Sequence, residues 1–123
     1  MLRSMFQAFV KDSVEAVKFY QKAFDAKLEC EYFGKDNKYY EHSELNINGQ
    51  ILAVSEQMEQ TPAAGNTMMF CLEFGKGNAD KVYKIYGILK EGAQPHEPAG
   101  DIGYSEHGFA LVDKYGVWWC VFE

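Results

Sequence analysis

The residues of this chain whose types and spacing favour chemistry are its histidines, its cysteines and the acids beside them. His42 and Glu44 alternate in a segment with strand character, so they share a face, where they form a general-base pair or part of a metal site. An exposed polar face is the plainer interpretation, and both stay open. Glu106 and His107 are adjacent and point to opposite faces of a strand. His96 lies between prolines in a predicted loop.

The three cysteines are Cys30, Cys71 and Cys120, an odd number without C-x-x-C spacing. We therefore expect free, buried thiols in a reducing cytoplasm. Cys120 lies in the apolar segment VWWCVFE. As a nucleophile it would need a base or cation nearby, which His42 or His107 would have to supply, and an inert thiol is the alternative.

The first half of the chain predicts a strand followed by a helix. In the segment MFQAFV, strand alternation places Met5, Gln7 and Phe9 on one face. The helix is expected to begin at Asp12, whose side chain and Glu15 have the spacing of a capping box.

Three further strands are predicted in the first half, at residues 28–33, 39–47 and 50–55. The Asn48-Gly49 pair between the last two predicts a two-residue hairpin turn, because both residue types tolerate positive φ.

The second half repeats this order. It predicts a strand at 67–74, a helix that begins after Asn78, a short irregular strand near 93–98, and strands at 107–112 and 117–122. The pattern alone is repeated, since the two halves share almost no sequence identity.

The chain is thus predicted to be one α+β domain of two βαβββ modules, residues 1–56 and 67–123, joined by a polar linker at 57–66. One helix covers only one face of each module's sheet. Pairing the modules side by side would bury the other apolar faces and form a curved half-barrel sheet with a concave cavity and the helices outside.

Composition narrows the class of partner. The 123 residues carry a net charge of −6 and no cluster of Lys or Arg, which disfavours nucleic acid. No apolar stretch reaches the ~18 residues of a membrane span, and the N-terminal segment lacks a signal-peptide pattern. We expect a cytoplasmic protein with neither nucleic-acid nor membrane partners.

Four sequence features, taken in order, carry a family resemblance. They are Phe9, EAVKFYQKAFDAK at 15–27, INGQILAVSE at 47–56 and DKYGVWW at 113–119. Together they resemble the vicinal oxygen chelate superfamily of glyoxalases, bleomycin-resistance proteins and extradiol dioxygenases, and within it the PhnB-like subgroup. The resemblance implies paired βαβββ modules with the first helix outside the sheet, anchored by Phe19, Tyr20 and Phe24.

The resemblance also implies where metal ligands would lie. Metal enzymes of this superfamily hold their ion with His, Gln or Glu on four strands. The matching positions here are occupied by Met5, by Ala53 or Ser55, by Met69 or Cys71, and by Cys120. These side chains do not complete a metal site, so we predict that the family's metal positions are lost and that no cofactor is bound.

The function predicted from this pattern is binding of a small, partly apolar or aromatic molecule, by a homodimer. The predicted cavity residues are Met5, Gln7, Phe9, His42, Glu44, Trp118 and Cys120. The alternative is a glyoxalase- or dioxygenase-like enzyme that uses a divalent metal such as Zn, Mn, Ni or Fe. Its non-standard ligands would be Gln7, His42, Glu44 and Glu56.

Overall fold

The structure is a computed structural model that describes residues 1–59 and 67–123. The chain divides into two compact units, Met1–Ala63 and Ala64–Glu123, each with one α-helix and one sheet. The α+β class predicted from the sequence is therefore confirmed. Most of the predicted linker, residues 60–66, lies outside the described residues.

The first unit has the predicted strand–helix–strand–strand–strand order. Its elements are β1 (Phe6–Val10), α1 (Ser13–Phe24), β2 (Lys27–Phe33), β3 (Tyr40–Ile47) and β4 (Gln50–Glu56), with a short 3₁₀ turn at Lys35–Asn37. The strands lie in the order β1-β4-β3-β2, with β1 parallel to β4 and the other pairs antiparallel. Asn48 and Gly49 form the predicted hairpin turn, with φ angles of 50° and 95°.

Helix α1 covers one face of this sheet. Val10, Leu45 and Leu52 are fully buried on three different strands, and Tyr20 and Phe24 of the helix are buried with them. Because side chains alternate along a strand, the residues between these buried positions point to the opposite face. The core prediction for Tyr20 and Phe24 agrees with this burial.

The start of α1 differs from the prediction. Asp12 has left-handed geometry, with φ of 58°, and its side chain makes no capping hydrogen bond. The Glu56 carboxylate at the end of β4 instead accepts the backbone N–H groups of Asp12 (3.1 Å) and Ser13 (2.9 Å). The capping box with Glu15 was therefore wrong, because a carboxylate distant in sequence reaches the helix N-terminus and is favoured there by the helix dipole.

The second unit contains a smaller sheet. Its elements are β5 (Phe70–Glu73), α2 (Ala79–Leu89), β6 (Gly108–Val112) and β7 (Trp118–Phe122). The strands lie in the order β5-β7-β6, with β5 parallel to β7. None of the described residues of this unit forms a fourth strand.

The prediction of a strand near 93–98 was wrong, and the cause lies in the backbone of this segment. Pro95 and Pro98 have no N–H groups, so the segment cannot supply a regular ladder. It contributes one strand-like bond, from the N–H of Gln94 to the carbonyl of Val112 (3.0 Å). Two residues beyond Pro98, an isolated bridge joins Gly100 to Gly108.

The second helix also begins at a carboxylate from the end of its sheet. Oε2 of Glu123, the residue after β7, accepts the N–H groups of Gly77 (2.9 Å) and Asn78 (3.0 Å). Asn78 is the predicted N-terminal residue, yet its side chain donates back to the Phe74 carbonyl (2.8 Å). The two units therefore share a capping arrangement as well as an order of elements.

Asp113 organises the turn before the last strand. Its carboxylate is 2% exposed and accepts the N–H groups of Tyr115 (2.9 Å) and Val117 (3.0 Å) and the indole N–H of Trp119 (2.9 Å). Gly116 completes the turn with φ of 85°. The aspartate that precedes the apolar strand thus fixes both the turn and the orientation of one tryptophan.

Neither α1 nor α2 is long and apolar enough to cross a membrane, and these are the α-helices found in the described parts of the chain.

Candidate functional site

The face of the first sheet that points away from α1, here called the far face, carries most of the predicted site residues. Three strand pairings align one row across it: Cys30 with Glu44, Glu44 with Ala53, and Ala53 with Gln7. The far face is defined by Gln7, Phe9, Cys30, His42, Glu44, Ala53 and Ser55. Residues from all four strands of the sheet therefore present their side chains on this one face.

Glu44 is the centre of a polar cluster on the far face. It is 7% exposed and accepts two bonds from the Arg3 guanidinium, at 2.7 Å and 2.9 Å. Nε2 of His42 lies 2.9 Å from Oε1 of the same carboxylate. The hydrogen bonds from Arg3 and then from His42 lower the pKa of Glu44 to about 2, so the carboxylate is ionised at neutral pH.

Gln7 and Phe9 lie beside this cluster on β1. Nε2 of Gln7 donates to Oγ of Ser55 at 3.1 Å, which holds the amide against the sheet. The Phe9 side chain is 59% exposed. Met5 precedes β1 and is half-buried. An exposed aromatic ring and an anchored amide thus flank a buried carboxylate.

The sequence predicted that His42 and Glu44 share a face, and the structure confirms this. Two members of the cluster were missed. Arg3 lies outside any strand, and its pairing with a residue 41 positions away leaves no local pattern. Cys30 reaches the far face through an irregularity between Leu28 and Cys30, which breaks the alternation expected along β2. The sequence signal for the missed Arg3 contact was an arginine placed just before a strand that carries polar residues on the far face.

Glu56 does not belong with the other proposed metal ligands. Both oxygens of its carboxylate are bonded to backbone N–H groups at the start of α1. That arrangement gives Glu56 a structural role and removes it from the ligand set predicted for the enzyme alternative.

In the second unit, Cys120 lies on the face of the sheet away from α2. Its strand partners are Cys71 on β5 and Ala110 on β6, and alternation places Trp118 on the same face. Trp119 points the other way and is fully buried. Cys120 and Trp118 therefore share one face of the second sheet, and Trp119 lies on the other.

Cys120 has a tyrosine among its partners. Its Sγ lies 3.3 Å from the hydroxyl oxygen of Tyr104, and this bond raises the pKa of Tyr104 to about 12. His42 is bonded to Glu44, and Nδ1 of His107 lies 2.9 Å from the Tyr83 hydroxyl. Within the described residues, His42 and His107 are therefore each bonded to a residue other than Cys120.

His96 lies in a loop, as predicted, and its side chain is half-buried there. Its Nε2 lies 3.1 Å from the Tyr86 hydroxyl, and its Nδ1 lies 2.7 Å from the carbonyl of Gln94. The ring therefore fastens the loop after α2 to the helix.

Comparison with known proteins identifies the family to which this chain belongs. The chain is a member of the Glyoxalase/Bleomycin resistance protein/Dioxygenase superfamily, whose family model matches residues 4–121. No curated protein sequence matches the chain significantly.

Several solved structures have the same fold. Protein PA1353 from Pseudomonas aeruginosa superposes with a TM-score of 0.80 at 18% identity, over 99% of this chain and 97% of that chain. The PhnB protein from Bacillus cereus gives a TM-score of 0.80 at 19% identity, over 99% and 98% of the two chains. These similarities in fold agree with the predicted resemblance to the PhnB-like subgroup.

A third neighbour contains a metal. The fosfomycin resistance protein FosX from Listeria monocytogenes, in complex with Mn(II) and sulfate, superposes with a TM-score of 0.68 at 15% identity, over 97% of this chain and 88% of that chain. The positions that the family resemblance assigns to metal ligands offer thioether, methyl, hydroxyl and thiol groups in this chain. A hard ion such as Mn(II) prefers carboxylate, carbonyl and water oxygens, so this donor set does not fit it.

Proposed function

We propose that this chain is a small-molecule-binding protein whose ligand lies on the far face of the first sheet. One observation carries the proposal: the 59% exposed ring of Phe9 lies on the same sheet face as the buried carboxylate of Glu44. Exposed aromatic surface next to a few fixed polar groups is typical of sites that bind small organic molecules.

The apolar part of the site would bind by covering aromatic surface. Tyr32 on β2, 63% exposed, is the strand partner of His42 and so lies on the same side of the sheet as Phe9 on β1. Removing apolar surface from water contributes ~25 cal/mol per Å², and stacking adds to it. A flat, partly apolar molecule would satisfy both contributions.

The polar part of the site would orient the ligand. Arg3 is about half exposed and donates two of its hydrogen bonds to Glu44. A guanidinium has five N–H donors, so others are left for the ligand. The Gln7 amide, bonded to Ser55, is a further polar contact. We therefore propose a ligand that combines a flat apolar body with a carbonyl or anionic oxygen.

Trp118 and Cys120 are proposed as ligand-binding residues of the second unit, since they share the sheet face that points away from α2. We further propose that the protein is a cytoplasmic homodimer.

The proposal is tested by screening a library of small aromatic acids and amides against the protein with saturation-transfer NMR. Hits should bind the wild type, and Phe9→Ser should weaken them at least ~10-fold, because the ring contact is lost. The matched control is Met58→Ser, which removes an apolar side chain 68% exposed just after β4. Absence of hits, or hits that tolerate Phe9→Ser as well as they tolerate Met58→Ser, would overturn the proposal.

A metal-dependent enzyme is the second candidate function. It is favoured by the grouping of Cys30, His42 and Glu44, whose donor atoms lie close together. This candidate function requires a metal ion to bind at these three residues, rather than at the positions that the family resemblance implies.

A further inference from the structure

We propose that Cys30, His42 and Glu44 form a binding site for a borderline divalent metal ion, of the class of Zn²⁺ or Co²⁺. This inference does not rest on small-molecule binding by the far face. One donor atom from each residue lies within 4.8 Å of the other two. The proposal concerns strands β2 and β3, whereas the family resemblance pointed to other positions in the chain.

Strand pairing holds the three residues in place before any metal arrives. Cys30 and Glu44 are direct partners in the β2–β3 ladder, and His42 lies two residues before Glu44 on the same face. The ladder fixes their backbones, so only side-chain rotations remain to be ordered on binding. Such preorganisation lowers the entropic cost of assembling a site.

The donor set matches one class of ion. Zinc binds thiolate sulfur at about 2.3 Å, imidazole nitrogen at about 2.0 Å and carboxylate oxygen at about 2.0–2.2 Å. Tetrahedral neighbours at these lengths lie about 3.3–3.6 Å apart. The His42 and Glu44 donors, 2.9 Å apart, would therefore separate slightly on binding. Sγ of Cys30 lies within 4.8 Å of the other two donor atoms and would move closer to them by at most about 1 Å. Mixed sulfur and nitrogen donors favour borderline ions over Mg²⁺ or Ca²⁺.

The hydrogen bond between His42 and Glu44 occupies the place where the ion would bind. Nε2 of His42 and Oε1 of Glu44 are 2.9 Å apart and share a hydrogen. In the loaded state the metal would bind both atoms, the imidazole hydrogen would move to Nδ1, and the Cys30 thiol would release its proton to water. A thiolate and a carboxylate would then neutralise the two positive charges of the ion, with the imidazole neutral.

Arg3 would act as a positioning residue. Its Nη1 donates to Oε2 of Glu44 at 2.7 Å, and this bond is compatible with metal binding at Oε1. Its Nη2, 2.9 Å from Oε1, would have to release that oxygen. Outer groups of this kind fix the orientation of a ligating carboxylate. Three protein ligands leave a fourth position for water or for an oxygen of a bound molecule.

Cobalt titration of the full chain, after treatment with a chelator, tests the site by absorption spectroscopy. The wild type should show a thiolate-to-cobalt charge-transfer band that Zn²⁺ abolishes. Cys30→Ser should lose this band, and His42→Gln and Glu44→Gln should weaken cobalt binding at least ~100-fold. Arg3→Gln should weaken cobalt binding about 10-fold, because the ligating carboxylate loses the hydrogen bonds that orient it.

Matched controls come from side chains of the same type elsewhere. Cys71→Ser removes an exposed thiol of the second unit, and His96→Gln removes a histidine bonded to Tyr86. Both variants should bind cobalt as the wild type does. A wild type without a charge-transfer band would overturn the proposal. So would a band that survives Cys30→Ser and disappears in Cys71→Ser.

A second measurement uses only the wild-type sequence and therefore does not depend on the folding of a variant. Iodoacetamide labelling is followed by peptide mass spectrometry with and without Zn²⁺. The ion should slow alkylation of Cys30 at least ~10-fold and leave Cys71 unchanged. Equal labelling of Cys30 under both conditions would overturn the metal site. The small-molecule screen on metal-free protein would be unaffected by that result, so the two proposals fail separately.

Discussion

Nε2 of His42 and Oε1 of Glu44 are 2.9 Å apart on one strand, on the sheet face that α1 leaves uncovered. The Arg3 guanidinium donates two hydrogen bonds to the same carboxylate. A buried, ionised carboxylate with two cationic or polar partners is costly to maintain unless its bonds are complete. The hydrogen bonds from Arg3 and His42 meet that requirement, and they hold polar groups beside the exposed ring of Phe9.

The carboxylates bonded to the N-termini of the two helices should each stabilise the folded protein. Glu56→Gln and Glu123→Gln remove the charge that accepts two backbone N–H groups, so each should lower the free energy of unfolding by ~1 kcal/mol. Urea denaturation followed by circular dichroism measures this. Glu97→Gln, at an exposed loop position, is the control and should change stability by less than ~0.5 kcal/mol. Equal effects in all three variants would contradict the capping role.

Asp113→Asn should be more destabilising than either change at a helix start. The buried carboxylate accepts three N–H groups, and an amide would present donors to some of them. We expect a loss of ~2–3 kcal/mol in urea denaturation, as for a buried donor left unsatisfied. Trp119 fluorescence should change with it, because the indole loses its partner. An Asp113→Asn variant as stable as the wild type would show that the turn does not depend on this carboxylate.

The Tyr104 hydroxyl should lose its proton at a higher pH than an ordinary tyrosine does. Its bond to Cys120 favours the neutral phenol, which raises its pKa to about 12 from the usual 10.0. Between these two values Tyr104 therefore stays protonated in the wild type. In Cys120→Ala the hydroxyl should ionise closer to pH 10.0, a shift to lower pH, since its partner is gone. NMR titration of the tyrosine ring carbons measures the change, and an identical midpoint in both proteins would exclude the Tyr104–Cys120 bond in solution.

The protein should be a dimer in solution. In the part of the chain that the structure describes, the sheets end at β1 and β2 in the first unit and at β5 and β6 in the second, and sheet edges of this kind favour association. β2 also carries Tyr32 and Phe33, which are 63% and 40% exposed. Multi-angle light scattering at tens of micromolar should give twice the mass of one chain. A single-chain mass would refute the dimer.

Local sequence patterns predicted the first unit well because its elements follow simple rules. Alternation along β1 and β3 placed Gln7 with Phe9 and His42 with Glu44. The Asn48-Gly49 turn fixed the hairpin. Each of these features depends on residues near one another in the chain, which is the information that a single sequence contains.

The features that were missed depend on contacts between distant segments or on breaks in periodicity. Glu56 caps α1 from 43 positions away, so the nearby Glu15 was the more obvious partner and the wrong one. A bulge after Leu28 turns Cys30 onto the face of Glu44. In the second unit the repeated order of elements predicted a strand near 93–98, although two prolines prevent a ladder there.

Amide chemical-shift mapping tests most directly whether the far face of the first sheet binds a small molecule. The ¹H–¹⁵N spectrum of the labelled protein would be recorded with and without a hit from the aromatic screen. We predict that the largest shifts fall on Gln7, Phe9, His42 and Glu44, with smaller ones on the strand neighbours. Shifts confined to the helix-covered side, or to residues away from β1 and β3, would contradict binding at the far face.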